Sequence, residues 1–240
     1  LTAQRIAVDE ADGPSIRIDD LRVAAPAGCV MLSETHLDLK PGEHILIVGE
    51  RGAGKTLLFR ALVGLWPWGS GRITRPPRQS IVFIPTHAYV PPGVLRAAIA
   101  YPHAADVYED RVIVKALADV GLERLQPLLD KTDRWDRRLS DDEKQRVTFA
   151  RVILQRPRWV VIDDALDLVD PASRRRIEAI FTSELADVGV IAIGNEESET
   201  GFFTRTLHLV TDPNGPTFKP VGPDGTLDQI DAASEVLSSQ

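Results

Sequence analysis

The chain has 240 residues, 43% hydrophobic and 26% charged, enough for one substantial core or two small ones. Its net charge of −7 and pI near 5.3 argue against a nucleic-acid partner held by a broad basic face. A single cysteine, Cys29, excludes an internal disulfide and reads as a buried thiol in a reducing compartment; no apolar run approaches the ~20 residues of a membrane helix, and there is no secretory signal.

Residues 1–14 are polar, carry Gly13-Pro14 and read as a linker, and Leu1 in place of a methionine reads as the start of an excised domain. SIRIDDLRV (15–23) and VMLSETHLDL (30–39) alternate as half-buried strands do, and the PGE turn at 41–43 leads into HILIVG, so the spacing predicts a small antiparallel sheet first. A glycine-rich loop at 49–56 precedes an apolar-periodic helix, TLLFRALVGLW (56–66), and then a short apolar strand, SIVFIPT (80–86). From 91 to 155 the pattern is helical and too long for a simple crossover, which predicts an inserted helical subdomain. RWVVID (158–163) and VGVIAIG (188–194) read as buried strands on either side of a helix over 171–185 with proline in its first turn. TLHLV (206–210) and TFKPV (217–221) flank Asn214-Gly215 as a hairpin would, and 222–240 reads as a loose tail. Strands alternating with helices make this an α/β chain with a parallel core, its globular part spanning 15–221.

Gly49-Glu50-Arg51-Gly52-Ala53-Gly54-Lys55-Thr56 fits G-x-x-x-x-G-K-[ST] between a buried strand and a helix. Glycines let backbone amides at 49, 52, 53 and 54 wrap an anion, the helix start adds partial positive charge, and Lys55 there is unfavourable until an anion arrives. Thr56 has the hydroxyl for Mg²⁺, and a bland strand-to-helix turn is the weaker alternative. Asp163 and Asp164 end a buried strand, at the edge where ligands bind in parallel sheets. Asp163 suits Mg²⁺, and Asp164 suits the water that attacks a terminal phosphate; solvated strand-end residues are the alternative, with more weight for Asp164.

With these residues, FRALVGLWPWGSGRI (59–73), FIPTHAYVPPGVLRAAIAYP (83–102) and FARVILQRPRW (149–159), the chain resembles ATP-binding-cassette (ABC) transporter nucleotide-binding domains. It is most similar to subfamily D, the peroxisomal fatty-acyl type, and to bacterial peptide and vitamin B12 uptake relatives. The resemblance implies a P-loop NTPase (RecA-like) core and a nucleotide sandwich in which two domains pair head to tail. ATP would lie between the phosphate loop of one and Ser140, in the signature segment, of the other. It also implies a membrane domain, upstream in the same polypeptide, docked near 91–101 at a cytoplasmic membrane face.

Against the family pattern, the signature reads Leu139-Ser140-Asp141-Asp142-Glu143, with Asp142 in place of a glycine. Ser140 and Glu143 form a capping box, and Asp141 and Asp142 satisfy the helix start from within. A bare carboxylate 4 Å from a phosphate charge would cost ~4 kcal/mol at an effective dielectric of 20. Asp164 replaces the catalytic glutamate and retracts its carboxylate by about 1.5 Å, Asn195 replaces the switch histidine, and Thr86 replaces the glutamine that reaches Mg²⁺ and the attacking water. No aromatic residue precedes Phe59, so Ala25 stands where a ring would stack on adenine. Asp170 matches the family's D-loop, and equally serves as a plain N-cap before Pro171. The expected function is an ATP–Mg²⁺ motor domain of slow turnover, or a regulatory half with little or none beside a competent partner. Core packing for Trp66 and Trp68, a solvated face for Arg174 to Arg176 and no metal-ligand spacing among the histidines complete the reading.

Overall fold

The computed structural model describes residues 5–215, apart from 27, 51 and 196–200. The chain runs β1 (Ala7–Glu10), β2 (Ile16–Ala25), β3 (Gly28–Leu32), β4 (His36–Leu39), β5 (His44–Val48), α1 (Lys55–Val63), β6 (Gly69–Arg75), β7 (Ile81–Ile84), β8 (Gly93–Val94), α2 (Leu95–Ala100), α3 (Asp110–Asp119), β9 (Thr132–Asp133), α4 (Trp135–Arg138), α5 (Asp141–Gln155), β10 (Trp159–Asp163), α6 (Pro171–Phe181), β11 (Gly189–Gly194) and β12 (Arg205–Asp212). Among the described residues one large sheet has the order β1-β6-β2-β3-β12-β5-β11-β10-β7, with β4 on β2. The half from β12 to β7 is parallel, and the pairs β2/β3, β2/β4, β2/β6 and β3/β12 are antiparallel.

The parallel half is buried on both faces, which is why HILIV and WVVID are unbroken apolar runs instead of alternating ones. Strand parity splits them between two cores. Ile45 and Ile47 join Leu58 and Leu62 of α1, while Leu46 and Val48 join Phe149 of α5 and Phe181 of α6. Trp159 lies flat enough over the start of β11 that a Cβ on Gly189 would fall 2.4 Å from its ring, so only glycine fits there. This packing fixes where β10 ends, and with it the two aspartates.

Several boundaries differ from the sequence reading, each for a local reason. Residues 1–14 are not simply a linker: Ala7–Glu10 pair with Arg72–Arg75, Arg5 bridges to Trp68, and the Trp159 indole donates to the Pro14 carbonyl at 2.7 Å. The stretch 30–39 is two strands, because β3 continues along β12 while β4 pairs with the far end of β2. α1 stops at Val63, where Gly64 at φ 89° returns its amide to Ala61 and Arg60. α6 stops at Phe181, where the Thr182 and Ser183 hydroxyls both donate to the Ala179 carbonyl. Within 91–155 lie α2 to α5 and also a two-residue ladder, β8 with β9, that no pattern announced. β12 spends its hydrogen bonds on β3 and β5. The hairpin partner expected at 217–221 and the tail at 222–240 lie outside the described residues.

His44 opens β5 as a buried polar residue, stacked on Phe202 at a 4.3 Å centroid distance with Nδ1 3.2 Å from the Phe202 carbonyl. Burial pushes its pKa below the ordinary 6.5, so the folded chain holds it neutral. Below pH 6.5 the unfolded chain takes up a proton that the folded chain refuses, so this residue costs stability as pH falls toward its folded pKa. The expected slope reaches at most about 1.4 kcal/mol per pH unit. Denaturant titrations from pH 7.5 to 5 should show a shallower acid loss in His44→Leu than in the parent chain; equal slopes would remove this assignment.

Candidate nucleotide site

The loop between β5 and α1 turns on glycines with positive φ, Gly52 at 82° and Gly54 at 87°. A Cβ on Gly54 would also strike Val30 Cγ2 at 2.3 Å, so a side chain here is excluded by conformation and by space. Gly54 offers α1 no side-chain cap, and the first turn carries no acid. The amides at the start of α1 therefore depend on something outside the helix. Beside the loop lies a cleft of ≈ 390 Å³ lined by Val48, Gly49, Glu50, Ala53 and His208 to Thr211. It opens on the β12 side of β5, away from Asp163.

On the other side of β5, Lys55 Nζ donates to the Gly194 carbonyl at 3.3 Å and to Asn195 Oδ1 at 2.5 Å, across the end of β11. Asp163 ends β10 with only 4% of its surface exposed, and Thr86, in the loop after β7, donates its hydroxyl to Asp163 O and Oδ2 at 3.2 and 3.3 Å. Burial first, then the neighbouring Asp164, pushes the Asp163 carboxyl up to about 6. Burial also raises Asp164, against the pull of Lys55. Asp163 Oδ1 and Asp164 Oδ1 are both buried without a hydrogen-bond partner. Two orphaned carboxylate oxygens beside an ammonium group form a fitting donor set for a hard divalent cation, which would reverse the sense of both shifts. Asp164 adopts φ 50°, with its amide donating to Ile193 O at 2.9 Å.

Loop, lysine and paired carboxylates sit at the carboxyl ends of β5, β10 and β11, the crevice of a parallel P-loop fold. A family model described as ABC transporter matches residues 32–167. The chain belongs to the ABC transporter family. It is 30% identical over 203 residues to an ABC transporter ATP-binding protein of Synechocystis sp., aligning 82% of this chain with 30% of that protein. It is 33% identical to one of Haemophilus influenzae, with 79% and 31% aligned, and 30% identical to human ATP-binding cassette sub-family D member 3, with 73% and 27% aligned. The chain thus spans about a third of the length of the curated relatives it matches. A bacterial Atm1-family ABC exporter with ATP bound shares the fold at a TM-score of 0.69 and 20% identity, over 88% of this chain and 41% of that one.

Within this ABC domain the remaining expected site residues fall in a second cluster. Ser140 caps α5: its Oγ accepts from the Glu143 amide at 3.2 Å, and its own amide donates to Glu143 Oε2 at 3.0 Å. Asp170 caps α6, accepting from the Ala172 and Ser173 amides at 3.0 and 3.1 Å, and the Ser173 hydroxyl first, then these amides, hold its carboxyl below the usual range. Asp142 is not the bare carboxylate the sequence suggested, because Arg146 Nη2 pairs with it at 2.5 Å. Arg174 and Arg176 are engaged by Asp167, Glu178 and Glu123. Trp66 packs on the α1-side core and donates its indole to Ala24 O at 2.9 Å.

The ABC domain also uses residues the sequence reading passed over. Gln145, 1% exposed, donates to the Pro85 and Thr86 carbonyls at 3.2 and 2.5 Å, so α5 holds the loop that carries Thr86. Its helical phase was the available signal, since Gln145, Phe149 and Val152 share one apolar face. Arg151, buried in the same helix, donates to Tyr89 O at 2.8 Å and Ala98 O at 2.7 Å. Burial lowers its pKa to about 10, which leaves it charged.

Proposed function

We propose that this chain is the nucleotide-driven motor domain of a transporter, binding ATP with Mg²⁺ on the loop at 49–56 and pairing head to tail with a second such domain. The observation that carries the reading is the meeting of an uncapped α1 start and Lys55 with the two orphaned oxygens of Asp163 and Asp164. In this reading amides of Gly49, Gly52, Ala53 and Gly54 and the Lys55 ammonium hold the phosphates, and Thr56 and Asp163 hold Mg²⁺, which supplies neutralisation of phosphate charge. Asp164 orients a water toward the terminal phosphate, with Thr86 and Asn195 near the reacting end. With that end on the β10 side, beside the carboxylates, the nucleoside end would lie over the cleft beside β12, where His208 is the only ring among the described lining residues.

Pairing brings Ser140 and the Asp170 loop of one domain toward the phosphates held by the other. The membrane domain meets a surface carrying Tyr89, Val94, Tyr101 and Val107, exposed by 60, 38, 45 and 59% and braced from beneath by Arg151. Among the described residues no helix is long and apolar enough to cross a membrane. In this reading translocation belongs to that membrane partner, the domain stands at its cytoplasmic face, and no nucleic acid enters its cycle. A second reading, a regulatory half with little turnover, is favoured by the self-capped start of α5 and the short Asp164 side chain.

Sedimentation equilibrium with and without millimolar ATP and Mg²⁺ tests the proposal. Nucleotide-dependent dimers are expected; a chain that stays monomeric, with no heat of ATP binding in calorimetry, would overturn it.

A further inference from the structure

We propose that Asp142 is a positioning residue: its carboxylate clasps the start of α5 to the loop entering α6, and this clasp, not bare charge, limits how readily the domain pairs around nucleotide. The inference rests on the pairing proposed above and deepens it.

Three segments are linked through this side chain and its partner Arg146. Asp142 Oδ1 accepts the Asp170 amide at 3.0 Å, and Oδ2 pairs with Arg146 Nη2 at 2.5 Å. Arg146 in turn donates Nη1 to the Gly121 carbonyl at 2.8 Å. A line of bonds therefore runs from the turn after α3, through the first turn of α5, to the first residue of the α6 cap. The pair is shielded, with side-chain exposures of 28% for Asp142 and 13% for Arg146, so it is not a loose surface contact that water would dissolve. Asp142 is not needed as a helix cap either, because Ser140 and Glu143 already close the capping box. Its two oxygens are spent on groups outside the first turn. A glycine at this position could make neither bond.

The loop that Asp142 holds begins at Asp164 and ends at Asp170, so the clasp fixes the far end of the segment whose near end carries the proposed water-orienting carboxylate. Arg146 neutralises the charge locally, which removes the main objection to an acid in this place. What remains is geometric. The α5 start and the Asp170 loop are tied to each other before any nucleotide arrives, and docking on a second domain must accept that arrangement or break the Asp142–Asp170 bond.

Two measurements on the 240-residue chain separate clasp from charge. Asp142→Asn keeps an Oδ1 acceptor for the Asp170 amide and loses the charge; Asp142→Ala loses both and spares α5 the flexibility a glycine would add. In the nucleotide-free protein, hydrogen exchange at the Asp170 amide should speed up roughly tenfold in Asp142→Ala and stay within about twofold of the parent in Asp142→Asn. With ATP and Mg²⁺, dimerisation should strengthen by about tenfold in Asp142→Ala and hardly at all in Asp142→Asn. Equal strengthening in both variants would make charge the cause and overturn the clasp. So would unchanged Asp170 exchange in Asp142→Ala, a result that needs no nucleotide and is therefore independent of whether the domain pairs.

Discussion

Lys55→Ala is expected to weaken ATP–Mg²⁺ binding by at least about 100-fold, with the melting temperature of the free chain moving by no more than about 2 °C. The asymmetry follows from where the ammonium sits. In the nucleotide-free fold it donates to Gly194 O and Asn195 Oδ1, two neutral acceptors at the rim of the sheet. Losing those bonds costs little, because each exchange with water is nearly even. Lysine at the first turn also opposes the helix dipole, and alanine relieves that. Facing a triphosphate, the same ammonium meets several negative oxygens beside the buried carboxylate of Asp163 and the half-buried one of Asp164, and without it those charges repel one another. Calorimetry with millimolar nucleotide, alongside thermal unfolding, reads both quantities. Unchanged affinity in Lys55→Ala would mean that the loop does not grip phosphate, and the functional reading would fall with it.

Asp164→Glu is expected to raise steady-state ATP turnover by about 10- to 100-fold with little change in KM. Asp164 is placed by a φ of 50° and by its amide bond to Ile193 O, so the backbone aims the side chain and the side chain's length sets its reach. One added methylene advances the carboxylate by about 1.5 Å, the scale on which a water-orienting group gains or loses two orders of magnitude. The cost is conformational. Aspartate tolerates the left-handed region better than glutamate, so the variant should melt about 2–4 °C lower for a ~1 kcal/mol penalty. Phosphate release under saturating nucleotide, measured on both chains, decides the matter. Equal turnover would show that reach at this position does not limit the reaction, and the reading with little turnover would then need another cause.

What could be read from the residues was whatever local periodicity and spacing encode. The parallel core was visible because HILIV and WVVID are too apolar for any strand with a wet face, and the nucleotide loop because the eight consecutive positions after β5 have no other economical use. β1 was missed because AVDE is four residues long, half-exposed and followed by Gly13-Pro14, so nothing local distinguishes it from a linker. The two partners of β12 escaped the local pattern for a related reason, while the hairpin expected with 217–221 lies outside the described residues. The strand before Asn214-Gly215 pairs with β3 and β5, more than 150 residues earlier in the chain, at a separation no local spacing encodes. Asp142 shows the limit most clearly. Its residue type and helix position were legible and suggested a charge aimed outward, whereas the bond that redirects it comes from Asp170, 28 residues on.

β12 joins the two halves of the large sheet and, among the described residues, is the strand through which they are paired: its first half runs parallel to β5 and its second half antiparallel to β3. On a ribosome this seam emerges after both of the strands that it joins. Until residue 212 is clear of the exit tunnel, β3 and β5 each present an open edge, and the nascent chain holds two half-built sheets side by side. The step that welds them is also the step that removes those edges from reach of other nascent chains, so crowding on a polysome should penalise a translational pause just before β12 emerges more than a pause anywhere earlier in this domain.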